Sequence, residues 1–204
     1  MQRLGVLAVL ALGIAGCSLT AKPVRYFELR PTRAERQAGP PLPSILVPDF
    51  GCVAAYDQLR LVIRKSAVEF AASRNLQWTT APGRMLAQGL RARLEGTGRF
   101  ETVRREATPR PPYTVEGLVQ TIELSEEQAP TVQLALHLNI RRSNDGTVID
   151  EASIDEARPV GSRDPAASVL VLRDLYSQVL AGVTDRIISA IERDLARPAT
   201  AAAP

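Results

Sequence analysis

Reactive side chains are few and scattered in this chain. Among 204 residues there is one histidine, His137, and there are two cysteines, Cys17 and Cys52. That inventory excludes a Cys/His zinc spacing and a disulfide framework. His137 sits on the polar side of an alternating run, where a solvated imidazole is expected rather than a general base. No serine occupies a G-x-S-x-G elbow, and no nucleophile has a recognisable base beside it. Glu126 and Glu127 are adjacent carboxylates, but neighbouring strand or loop positions face apart, so they make a poor acid/base pair. The stretch EGTG (95–98) lacks the lysine and the preceding strand of a phosphate loop and reads as a helix stop. Cys52 is expected to be buried, as free cysteines commonly are, with pairing between chains as the alternative. These residues predict a protein that binds rather than turns over a substrate.

Cys17 has a more telling setting. Residues 1–16 place Arg3 ahead of an apolar run from Leu4 to Ala15, and two small residues precede the cysteine. The run falls within the roughly 7–15 residues of a secretory signal core and is shorter than the roughly 17–25 residues of a spanning helix. Ile14-Ala15-Gly16-Cys17 resembles the lipobox of bacterial lipoproteins. The resemblance implies a diacylglyceryl group on the Cys17 thiol and cleavage before it. The only prosthetic group expected is therefore this covalent lipid, with palmitate-type acyl chains. More than one acyl chain gives stable anchoring, at about 0.8 kcal/mol per buried CH₂. Ser18, in place of an inner-membrane-retaining aspartate, resembles the pattern of lipoproteins sorted to the outer membrane, facing the periplasm.

The rest of the chain must position whatever surface the anchor holds. Four units are expected: signal peptide 1–16, lipidated N-terminus and tether with a proline-rich linker 17–43, one domain 44–195, and a disordered tail 196–204. RYFEL (25–29) and SILVPDFG (44–51) read as strands, the second ending at Pro48, which cannot donate to a ladder. QLRLVIRKS (58–66) alternates, with Leu59, Leu61 and Ile63 sharing one face. Residues 67–80 are ambiguous and read as strand, loop and strand. Met85, Leu86, Leu90 and Leu94 repeat at helical spacing over 81–100, with Gly96 and Gly98 ending that helix, and FETVRR (100–105) follows as a strand. TVQLALHLNIR (131–141) alternates strictly, so it is a half-buried strand. It is flanked by strands at 113–124 and 147–160, with SNDG (143–146) as a hairpin turn, so 113–160 is an antiparallel meander. Residues 164–195 form a long helix with an apolar stripe of Leu172, Leu175, Tyr176, Val179, Val183, Ile187 and Ile191. The fold expected is an α/β (α+β) sandwich. It has a largely antiparallel mixed sheet of about four to six strands, with two helices on one face.

Composition agrees with a compact envelope domain. Hydrophobic residues make up 45% and charged residues 23%, an ordinary globular balance. Twenty-five basic against 22 acidic residues give +3, too even for a nucleic-acid partner.

The order of segments then resembles a known family. The lipobox is followed by RYFEL, a proline-rich run and SILVPDF. DQLRLVIRKS, NLQW leading into APGRMLAQGLRARL, GRFETV, the meander and the final helix complete the series. This series is similar to that of ABC-type transport auxiliary lipoproteins, over about residues 25–195. The resemblance implies a non-enzymatic subunit of an MCE-type ABC transport system that docks or assists intermembrane phospholipid transport. Its partner would be the MCE-domain protein of the periplasm, with a homo-oligomer left open. Two other readings stay open: an assembly lipoprotein of another outer-membrane complex, and an unrecognised hydrolase.

Overall fold

The computed structural model describes residues 22–127 and 129–197. Nine strands and two helices follow in the order β1 (Arg25–Phe27), β2 (Ile45–Leu46), β3 (Gly51–Cys52), β4 (Arg60–Ser66), β5 (Glu69–Trp78), α1 (Pro82–Thr97), β6 (Val103–Arg104), β7 (Tyr113–Ser125), β8 (Thr131–Arg142), β9 (Val148–Pro159) and α2 (Pro165–Leu195). All nine strands join one mixed sheet. The α+β class is as expected, while the strand number exceeds the expected four to six.

The added strands come from short segments whose pairing no local pattern announces. β7 pairs along its whole length with β8, which pairs with β9, both antiparallel. The other edge of β7 is lined in turn by β2, β3 and β4, all parallel to it. Residues 45–66 therefore act as one strand broken twice, at Pro48–Asp49 and at the loop 53–59. β6 lies outside β2, β5 lies outside β4, and β1 lies outside β5. Residues 67–80 are not strand, loop and strand. They form the hairpin turn and the single ten-residue strand β5.

Strict alternation in β8 puts Val132, Leu134, Leu136, Leu138 and Ile140 at 2% exposure or less. Full burial of one such side chain contributes about 1.5–3 kcal/mol. α2 lies on β7, β8 and β9, and α1 lies on β7 and against α2. The predicted stripe of α2 is buried except for Val179, which is half-buried, and Leu180 and Ile188 widen it. The helix is long and apolar enough to cross a membrane, with mean hydropathy 1.3 over its best window. Its apolar face is occupied by the sheet, so it is a core helix. Where the helices cross, Tyr176 is fully buried and its hydroxyl donates to the Leu86 carbonyl at 2.6 Å. Gly89 makes room for that ring, because a Cβ there would stand 2.2 Å from the Tyr176 oxygen. α1 stops as expected at Gly98, with φ 65°, and the SNDG turn carries Gly146 at φ 72°.

Two expectations need correction. The run 31–43 is not a free linker. Leu29 and Leu42 are each 2% exposed, and the Gln37 N–H donates to the Thr97 carbonyl at 3.0 Å. The buried Arg99 guanidinium donates to the Ala38 carbonyl at 3.2 Å and the Pro40 carbonyl at 3.1 Å, and also reaches Glu192. The prolines keep the segment extended while Arg99 satisfies its carbonyls, so the folded unit begins near β1 rather than at residue 44. Leu59 also departs from its predicted face. It precedes β4 and is 47% exposed, while Val62, on the other face of the alternation from Leu61 and Ile63, is 2% exposed.

Candidate functional site

The residues predicted to carry the anchor, Ile14, Ala15, Gly16, Cys17 and the following Ser18, lie outside the described residues. Their positions can be bounded from where the described chain starts. Lys22 leads into β1, whose Arg25 pairs with Asp164 at 3.4 Å, just before α2. The tether thus joins the molecule beside the start of α2.

Val62 is buried because loop 53–59 crosses the face of the sheet opposite the helices. Tyr56 from that loop donates its hydroxyl to Glu123 Oε2 at 2.7 Å. Arg64 donates from Nε to Glu123 Oε1 and from Nη2 to Glu123 Oε2, the latter at 3.0 Å. The Glu123 side chain is 1% exposed, and this carboxylate has both oxygens occupied. Burial, and then the Glu123 carboxylate, push the Tyr56 hydroxyl above its ordinary pKa. The Arg64 guanidinium also lies over the Phe70 ring at 5.7 Å, and Phe70 stacks on Tyr56 with centroids 6.4 Å apart. This cluster ties the β4–β5 hairpin to β7. Beyond it the hairpin turn is bare, with Val68 94% exposed at its tip. Sequence reading missed the cluster, because Glu123 occupies an ordinary polar position in an alternating strand.

A second clasp closes the opposite end. Arg142 Nη2 donates to Asp194 Oδ1 at 2.6 Å, and the Tyr113 hydroxyl donates to Asp194 Oδ2 at 2.9 Å. The guanidinium holds the Asp194 carboxyl below its usual range. Burial, and then the Asp194 carboxylate, push Tyr113 up to about 12.

His137 has partners the sequence did not reveal. Its Nδ1 lies 3.1 Å from Ser153 Oγ, across the β8–β9 pair, and its Nε2 lies 3.5 Å from Glu151. The three form a chain of hydrogen-bonding groups along a strand surface. Cys52 is half-buried rather than fully buried, and burial pushes its thiol above the usual range. Among the described residues no group of three or more His, Cys, Asp or Glu side chains is placed to hold a metal.

A family model described as ABC-type transport auxiliary lipoprotein component matches residues 27–199. The chain belongs to this family. The match runs from β1 past the end of α2, so the whole folded unit is the auxiliary component. A crystal structure of protein XCC0632 from Xanthomonas campestris, of the DUF330 family, is similar with a TM-score of 0.76 and 19% identity. It covers 85% of this chain and 100% of that one. A second crystal structure, of an uncharacterised protein, has a TM-score of 0.66 and 14% identity over 81% of this chain and 99% of that one. At such identities the likeness shows the fold. A search of curated proteins returns no match.

As an auxiliary lipoprotein, the protein is membrane-anchored in the cell envelope and serves an ABC-type transporter. Two recesses lie on its helical side. One of about 330 Å³ lies between β9 and α2, with Ile154, Val179, Val183, Arg158 and Arg186 among its walls. The other, of about 530 Å³, lies under the N-terminal segment, beside Leu29, Pro31, Met85 and Arg93.

Proposed function

We propose that this auxiliary lipoprotein is a non-enzymatic docking subunit of an MCE-type ABC system, and that it assists phospholipid transport between the two membranes. The observation that carries the reading is the family match across the whole folded unit, which leaves no second domain among the described residues to hold a separate activity. The lipobox-like Ile14-Ala15-Gly16-Cys17 supports anchoring through acylated Cys17, and Ser18 supports the outer membrane as the destination. A transport assembly that crosses the periplasm needs an attachment at the far membrane. A rigid domain on a short tether supplies one.

The anchor is tested by Cys17→Ala. The variant is expected to fractionate away from membranes or to retain its signal peptide. It should also fail to restore detergent resistance to cells that lack the gene. A processed, membrane-bound Cys17→Ala protein, or full complementation by it, would contradict the reading.

A further inference from the structure

The direction in which β1 enters the sheet bears on which end of the molecule meets the membrane. β1 runs parallel to β5, with Arg25 opposite Leu76. β1 therefore enters the sheet from the side of the β4–β5 turn, where Ser66 pairs with Glu69. Arg25 is the eighth residue after Cys17, and Leu76 is the eighth after Val68. Eight extended residues span about 26–29 Å. The run from Leu76 to Val68 is shortened by the bulge in β5, so a tether of this length is long enough to bring Cys17 to the level of the hairpin turn. Residues 29–43 add nothing to this reach, because they are laid on the domain.

The same end carries exposed apolar side chains. Val68 is 94% exposed at the tip, beside exposed Ala67, and Phe70 is 46% exposed behind it. Charge there is mixed: Lys65 pairs with Glu126 from the β7–β8 turn, and Glu69 and Glu127 are exposed. Exposed apolar side chains beside mixed charge suit a headgroup layer better than a uniformly acidic or basic protein surface.

We infer that the β4–β5 turn, with Val68 at its tip, rests in the headgroup layer of the membrane to which Cys17 is anchored. The inference rests on the anchor reading proposed above. It places the Tyr113–Arg142–Asp194 end, roughly the length of α2 away, toward the periplasm and the transport partner. An α-helix of 31 residues spans about 46 Å.

The test uses the full acylated chain carrying Cys52→Ser, so that an introduced thiol is the only free one. An environment-sensitive fluorophore is placed at Val68→Cys or at Asn144→Cys, which is exposed in the β8–β9 turn. The protein is reconstituted into phosphatidylcholine vesicles containing nitroxide-labelled lipid. The expected result is a blue-shifted emission at position 68, quenched several-fold more strongly than at position 144 and unchanged by salt. Stronger quenching at 144, equal quenching at both, or no quenching at 68 on an acylated protein overturns the orientation alone. A mature N-terminal peptide without acyl chains, read by mass spectrometry, overturns the anchor reading and the orientation with it.

Discussion

Glu123 is a carboxylate with 1% of its side chain exposed, and its two neighbours decide its cost. An unpaired buried charge is expensive, and removing one partner of a buried pair costs about 3–5 kcal/mol. Arg64 is 26% exposed, so solvent can replace part of its contribution. Arg64→Ala is therefore expected to lose about 2–4 kcal/mol in urea unfolding. Glu123→Gln keeps the shape and an acceptor for Tyr56, and should lose clearly less. If the two variants unfold together, the cluster does not hold the hairpin as described. None of this was legible in the sequence. Tyr56, Arg64 and Glu123 are brought together by a loop crossing the sheet, and each alone has an ordinary surface setting in the sequence. The Ser153–His137–Glu151 row escaped for a related reason: cross-strand neighbours depend on register, which alternation does not give.

β8 tests the assignment of faces. Ile140 is 2% exposed on the side covered by α2, while Asn139 is half-buried on the other side, which faces away from the helices. Ile140→Asp buries a carboxylate without a partner and is expected to cost several kcal/mol. Asn139→Asp should leave the melting temperature within a few degrees of the parent. Equal melting temperatures for the two would refute the pairing of face with burial. Long elements such as β7, β8, β9 and α2 were readable because a repeated period outweighs any single residue. β2 and β6 fall inside the runs 44–51 and 100–105 that read as strands, but they, like β3, are two residues each, and no local period shows which partners they take from β7 and its neighbours. The proline-rich segment misled because composition reports stiffness. Its attachment depends on Arg99, a buried guanidinium far along the chain.

At the scale of the molecule, one end of a rigid sheet-and-helix body receives the tether, and the other is closed by an ionic clasp. The family assignment makes the body an auxiliary lipoprotein of an ABC-type transporter. The segment order was enough to suggest that family, while the identity of the docking face had no signature in the sequence. A body with even charge and a short anchor is suited to holding a partner rather than steering one electrostatically. The central claim is that the partner is the MCE-domain protein of such a transporter. Affinity capture of the intact acylated protein from crosslinked cells, read by quantitative mass spectrometry, tests it most directly. The account predicts that an MCE-domain protein is the dominant partner, and that it is lost with Cys17→Ala. Repeated recovery of an outer-membrane β-barrel or its assembly factors, with no MCE-domain protein, would contradict it.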